Sequence, residues 1–239
     1  IENGSQPIIY PNKESPEYVL CVNGEIYNYK DLYKVALYDS AQPATSSDCE
    51  VILHLYKEYG VSFLNMLDGI YSFVLYDLAK NSVLVARDSI GIIPLYIGNG
   101  RGNIYIGSEQ KVLDDCDYVE SFAPGSYSYF DIEVLNVEPV KYYKPQWELA
   151  NTQDYEVEDI CEKIRDSLTE SVRKRLMCEV PFGVLLSGGL DSSLIASITS
   201  KLINSDKSKY FTSKLHTFSI GLKGSPDLLN AKVVADYLG

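Results

Sequence analysis

Val180-Pro181-Phe182-Gly183-Val184-Leu185-Leu186-Ser187-Gly188-Gly189-Leu190-Asp191-Ser192-Ser193 is the stretch whose reading decides the fold of the second half of this chain. It reads as a short buried strand, a Ser/Gly loop and the first turn of a helix. The paired glycines let backbone approach an anion closely, and the amides at a helix start point toward it. Ser187, Ser192 and Ser193 add hydroxyl donors, and Asp191 is placed to help hold magnesium on bound phosphates. No lysine follows, so the Gly-x4-Gly-Lys-Ser/Thr loop is excluded, as is the Gly-x-Gly-x-x-Gly dinucleotide spacing. A plain capped glycine turn needs one side-chain oxygen, whereas several donors gather here directly after an apolar run.

Working outward, the flanking periodicity alternates between helix and strand. Ile160, Ile164, Leu168, Val172 and Leu176 recur every four residues and predict one amphipathic helix from Val157 to about Met177. Leu194, Ile195, Ile198 and Leu202 predict a second helix, and Leu215 to Ile220 a second strand. Helix, strand, helix, strand is how a parallel, doubly wound α/β domain opens, and it is expected to continue beyond Gly239. A boundary is expected near residues 145–156, where Pro145, Trp147 and a polar run interrupt the pattern, giving domains of 1–150 and 151–239.

The first half is rich in strands. Tyr18 to Val22 precedes a Gly turn, and Ile70–Leu78 leads through Ala79-Lys80-Asn81 into Val83–Ala86 as a hairpin covered on both faces. Strands are also expected at Asn103–Gly107 and Ser126–Asp131. From Asp48 to Tyr59 the pattern is helical, with Val51, Ile52, Leu55 and Tyr56 on one face. Antiparallel sheets layered with helices predict an α+β domain.

The 239 residues carry 21 Lys+Arg against 33 Asp+Glu, a net charge of -12, with no basic block; this argues against a nucleic-acid surface. The five cysteines, at 21, 49, 116, 161 and 178, lack paired metal-like spacing and predict a reduced, cytoplasmic setting. Cys21 is expected to pack as a small apolar residue. Neither a membrane-length apolar run nor a signal-peptide pattern is present, so no membrane partner is expected. His54 and His216 read as structural histidines.

Ser187-Gly188-Gly189-Leu190-Asp191-Ser192-Ser193 resembles the pyrophosphate-binding loop of the ATP pyrophosphatase family, and its Val-Pro-Phe-Gly-Val-Leu-Leu lead-in resembles the asparagine synthetase branch. Upstream, Asn23-Gly24-Glu25-Ile26-Tyr27-Asn28 is by itself compatible with a simple Asn-Gly turn. Together with Ser47-Asp48-Cys49-Glu50, Leu67-Asp68-Gly69, Ala86-Arg87-Asp88-Ser89-Ile90-Gly91 and Gly107-Ser108-Glu109-Gln110-Lys111, it resembles the class II glutamine amidotransferase domain. That resemblance implies an N-terminal-nucleophile hydrolase fold followed by an ATP pyrophosphatase α/β domain, over almost the whole chain.

The resemblance also implies roles. Asn23 (side-chain amide) and Gly24 (backbone N–H) match an oxyanion hole, while Asn23, Glu25 and Asp48 match the glutamine site. On its residues alone, Asp48 is equally a helix N-cap. Arg87, Asp88, Gly91 and Pro94 match a structural loop, as do Glu109 and Lys111. Leu186, Ser187, Gly188, Gly189, Leu190, Asp191, Ser192 and Ile220 match ATP contacts, with Asp191 toward Mg2+. The family nucleophile is an N-terminal cysteine that serves as its own base through its α-amine. Residue 1 here is isoleucine, so that cysteine is expected upstream of it, and these 239 residues alone are expected to be inactive.

The activity implied is glutamine-dependent asparagine synthesis from ATP and aspartate through a β-aspartyl-adenylate, with a homodimer compatible. Two other readings stay open from the residues: an ATP-dependent amide ligase without glutaminase activity, like the β-lactam synthetases, and a non-catalytic relic.

Overall fold

The structure is a computed structural model that describes residues 4–36, 43–134, 136–145, 147, 156–205, 210 and 214–239. It divides into two compact units, Ile1–Asn151 and Thr152–Gly239.

In the first unit the chain runs β1 (Ile8–Tyr10), β2 (Tyr18–Ile26), α1 (Tyr29–Ala36), a 3-10 turn at Asp48–Glu50, α2 (Val51–Tyr59), β3 (Gly69–Asp77) and β4 (Ser82–Arg87). It continues through β5 (Tyr96–Gly100), β6 (Asn103–Gly107), β7 (Tyr118–Ser121), β8 (Ser126–Asp131) and β9 (Val140–Lys141). A six-stranded antiparallel sheet has the order β1-β2-β3-β4-β8-β9, and a three-stranded sheet has the order β6-β5-β7.

Strand alternation builds the layers. Leu20, Val22, Phe73, Leu75, Leu84 and Ala86 turn one way, into a core shared with Leu32 of α1 and with Val51, Ile52, Leu53 and Leu55 of α2. Val74, Val83 and Val85 turn the other way, against Leu95, Ile97, Phe122 and Phe130. The β3–β4 hairpin is therefore covered on both faces, as its continuous apolar run predicts. Helix α2 departs from its expected single face: Val51 through Tyr56 are all buried.

Two expectations about β2 are corrected. The strand does not end at a Gly turn after Val22 but runs to Ile26, because the β3 register continues from Tyr18↔Asp77 to Ile26↔Gly69. Cys21 is exposed rather than packed: alternation turns it away from the core of Leu20 and Val22, onto the face of Asn23 and of its β3 partner Val74.

The second unit holds α3 (Val157–Arg175), β10 (Gly183–Leu185), α4 (Leu190–Ser205), β11 (His216–Phe218) and α5 (Pro226–Leu238). β10 and β11 pair in parallel, Val184 opposite Thr217. Of the apolar stripe on α3, Val172 and Leu176 are buried against Leu202, while Ile160 and Ile164 stay exposed. Among the described residues, packing partners reach only the end of that helix. The second strand is shorter than expected: Ile220 lies beyond β11 rather than in it and is 99% exposed. Most of the expected boundary, residues 148–155, lies outside the described residues. Among the described residues no helix is long and apolar enough to cross a membrane.

Candidate functional site

The β2 edge carries the first group of expected residues. β1 pairs with β2 only as far as Ile8↔Leu20, and beyond that a side chain takes over. Gln6 Oε1 accepts from Val22 N at 2.7 Å, and Gln6 Nε2 donates to Val22 O at 2.6 Å. Two residues past Gly24 on the same edge, Ile26 N donates to Asp48 Oδ2 at 2.6 Å. Strand alternation puts the intervening Gly24 N–H on that edge as well, between the Gln6 amide and the Asp48 carboxylate. Tyr71, opposite Gly24, turns its own N and O to Asp88 on the far side, at 3.3 and 2.8 Å.

Glycine is required at 24. Its φ is +149°, and a Cβ there would lie 2.1 Å from Ile70 O and 2.6 Å from Tyr71 Cα. Asn23 is exposed beside it, and its Nδ2 donates to Ser108 Oγ at 3.1 Å, which uses one of its two amide hydrogens. Ser108, in the loop after β6, was visible in the sequence only as part of a motif without a role.

The N-cap alternative for Asp48 does not hold. Ser47 is the cap, its Oγ accepting from Cys49 N at 3.3 Å, which frees Asp48 to reach across to β2. Cys49 Sγ, buried, donates to Gly24 O and to Asp48 Oδ2, each at 3.6 Å. Burial raises its thiol pKa, and the Asp48 and Glu25 carboxylates raise it further. Both carboxylates thus act on the same buried atom, and a thiol so held is a poor nucleophile.

The Arg87–Pro94 segment is a backbone clamp. Arg87 donates to Ile93 O at 2.8 Å, Gly91 O at 2.9 Å and Phe122 O at 2.7 Å. The buried Asp88 accepts from the N–H groups of Ile90, Ile92 and Ile93 at 3.2, 2.9 and 3.0 Å. Glu109 and Lys111 form an exposed ion pair. His54 is buried against Glu50, whereas His216 is exposed at the start of β11.

The second group surrounds the loop between β10 and α4. Gly188 has φ +82°, and a Cβ there would meet Ala231 N at 2.5 Å and Asn230 Cβ at 2.7 Å, so α5 backs the loop closely. Nothing in the local motif announces that backing. The hydroxyl oxygens of Ser187 and Ser192 are 2.9 Å apart, and Ser192 Oγ also accepts from Ser187 N at 3.3 Å. Gly189, Leu190 and Asp191 are exposed, Leu190 by 83%. Leu186 is buried by its side chain; its N donates to Phe218 O at 2.8 Å and its O accepts from Ser219 Oγ at 2.6 Å. A cavity of about 490 Å³ is lined by Leu185, Leu186, Ser187, Ser192, Phe218 and Ile220, among others. Four of the expected nucleotide contacts thus share one cavity.

Comparison with known proteins places both units. A family model described as "Glutamine amidotransferase domain" matches residues 1–151, and one described as "Asparagine synthase" matches residues 163–239. The chain is 48% identical over 241 residues to the root asparagine synthetase [glutamine-hydrolyzing] of Pisum sativum, covering 99% of this chain and 39% of that protein. It is 47% identical to asparagine synthetase [glutamine-hydrolyzing] 1 of Arabidopsis thaliana, with the same coverage. The chain therefore spans about two-fifths of the length of these relatives. Among solved structures, the glutamine phosphoribosylpyrophosphate amidotransferase of B. subtilis superposes with a TM-score of 0.51 at 21% identity, over 83% of this chain and 47% of that one. An allosteric regulatory enzyme of purine biosynthesis superposes with a TM-score of 0.52 at 19% identity, over 97% and 52%. These likenesses establish the N-terminal-nucleophile hydrolase fold. With its matched domain covering well over half of the residues, the chain belongs to the glutamine amidotransferase domain family.

Proposed function

We propose that this chain is part of a glutamine-dependent asparagine synthetase, which converts ATP, aspartate, glutamine and water to asparagine, glutamate, AMP and pyrophosphate. The observation that carries the glutaminase half is the β2 edge, where strand alternation turns the Gly24 N–H outward between the Gln6 amide and the Asp48 carboxylate, with the Asn23 amide beside it. In this reading those two donors receive the oxygen of the glutamine carboxamide as it becomes tetrahedral. Fixed donors of that kind lower the barrier by about 3–4 kcal/mol each. Glu25 and Asp48 hold the α-ammonium group. None of the five cysteines present supplies the attacking thiol: Cys49 is buried with a raised pKa, and Cys21 lies mid-strand without an α-amine.

In the synthetase half, Ser187, Gly188, Gly189, Leu190, Asp191 and Ser192 grip the β and γ phosphates of ATP, while Leu186 and Ile220 flank the nucleoside. The β-carboxylate of aspartate attacks the α-phosphorus, and pyrophosphate leaves. Ammonia then attacks the acyl carbon, and AMP leaves as asparagine forms with release of a proton. Among the described residues no three His, Cys, Asp or Glu side chains gather into a metal cage. Asp191, on this exposed loop, would hold a magnesium ion together with the bound nucleotide. When bound there, magnesium would supply the charge neutralisation that a loop without lysine or arginine lacks.

The test uses the full-length protein that carries this chain. Asn23→Ala should remove glutamine-dependent asparagine formation and leave ammonia-supported, aspartate-dependent AMP release intact. Undiminished glutamine use would overturn the glutaminase site, and AMP release that ignores aspartate would overturn the synthetase assignment.

A further inference from the structure

Asp48 lies at the end of an irregular segment, and a buried carboxylate two residues on closes that segment. Glu50 is 1% exposed. Its Oε1 accepts from Ala44 N at 2.7 Å and from His54 Nε2 at 3.1 Å, and its Oε2 from Thr45 N at 2.6 Å and Thr45 Oγ1 at 2.5 Å. Burial alone would raise the Glu50 pKa, but the bonds from His54, Thr45 and Ala44 outweigh it and hold the carboxyl below its ordinary range. Four donors on one buried anion satisfy it, and they also fix the directions of everything attached.

The restraint passes on toward the site. Thr45 Oγ1 accepts from Ser47 N at 3.1 Å, and Ser47 Oγ accepts from Cys49 N. His54, one helical turn beyond Glu50, is held edge-on by the rings of Tyr10 and Tyr33, at centroid distances of 5.1 and 5.7 Å. Inside this closed segment, both hydrogen bonds that Asp48 accepts among the described residues fall on Oδ2, from Ile26 N and Cys49 Sγ. Neither of these bonds uses Oδ1.

We propose that Glu50 and His54 form a buried positioning pair that aims Asp48 at the α-ammonium group of glutamine, an inference that rests on the reading of Asp48 above. Neither residue is catalytic; both act through the segment from Ala44 to Cys49. A loop needing only cover could be filled with apolar side chains, whereas an anion ringed by four donors sets a geometry.

The experiment measures glutamine kinetics and ammonia-supported activity in the full-length protein. Glu50→Gln turns an NH2 group against the Ala44 or Thr45 amide, and Thr45→Val removes one donor with little change of shape. The KM for glutamine should rise about ten-fold in the first, as for one lost charged hydrogen bond, and less in the second. Turnover at saturating glutamine and ammonia-supported activity should stay within about two-fold, the signature of lost binding rather than lost chemistry. His54→Gln, which keeps a donor, should restore most of what His54→Leu loses. An unchanged KM in Thr45→Val and Glu50→Gln overturns the proposal, as does a parallel fall of both activities. Should Glu50→Gln fail to fold, Thr45→Val decides. Asp48→Asn separates the layers: a raised KM there with none in the Glu50 and Thr45 variants refutes the positioning pair alone, and an unchanged KM there refutes the ammonium site itself.

Discussion

Gly24 and Asn23 are neighbours on β2, yet their replacement by alanine should fail in opposite ways. In Gly24→Ala the new methyl group would sit 2.1 Å from Ile70 O, 2.6 Å from Tyr71 Cα and 2.9 Å from Ile70 C. All three atoms are backbone of β3, an interior strand of the six-stranded sheet, so no side chain can swing aside. Reaching ordinary contact would move one strand by more than an ångström. Overpacking of that kind costs about 1–3 kcal/mol, and holding a non-glycine residue at φ +149° costs about 1–3 kcal/mol more. A loss of about 2–6 kcal/mol is a large share of a domain stability of about 5–15 kcal/mol. Urea unfolding followed by circular dichroism should show the midpoint fall by about 1 M or more. In Asn23→Ala only an exposed bond to Ser108 is lost, so stability should stay within about 0.5 kcal/mol while glutaminase turnover drops about 10²–10³-fold. A Gly24→Ala midpoint within about 0.3 M of the parent would refute the steric reasoning. Asn23→Ala turnover within about ten-fold of the parent would refute the oxyanion assignment.

Gly188→Ala should drive the loop about an ångström off Asn230 and Ala231 and lower aspartate-dependent ATP–pyrophosphate exchange about 100-fold. Gly224→Ala, at φ +83° with open space around it, is the control and should leave exchange unchanged. Arg87→Met orphans the carbonyls of Gly91, Ile93 and Phe122 and should lower the Tm by about 6 °C or more in a thermal melt. The Glu50 carboxyl is held below its ordinary value of 4.5, so its contribution to stability is complete above that pH and is lost as pH falls through the depressed native value. Acid unfolding monitored below about pH 4.5 should therefore be less steep in Glu50→Gln than in the parent; equal steepness would contradict the assignment.

How much of this was legible in the sequence depended on whether the cause was local. The β3–β4 hairpin, β6, β8 and the helix after Asp48 follow from apolar alternation and period, and each was read close to its observed limits. The phosphate-type loop was legible because glycines and hydroxyls crowd into seven consecutive positions. What escaped was set by partners far along the chain. The extension of β2 through Asn23–Ile26 comes from pairing with Gly69–Ser72, and Asn-Gly alone reads as a turn. Ser47 rather than Asp48 became the cap because Ile26 N claims the Asp48 carboxylate from more than twenty residues away. Ile160, Ile164 and Ile220 have core-like chemistry, but among the described residues all three remain exposed.

Gln6 also shapes the edge of the sheet by what it prevents. By offering one carbonyl and one amide to Val22, it behaves as a strand one residue long and brings the ladder to a halt there. A bare sheet margin ordinarily recruits whatever extended polypeptide comes near, including other molecules of the same protein. Among the described residues, pairing on this side of β2 ends two residues short of Gly24. The same glutamine keeps both the amide and the carbonyl of Val22 from pairing with any other strand.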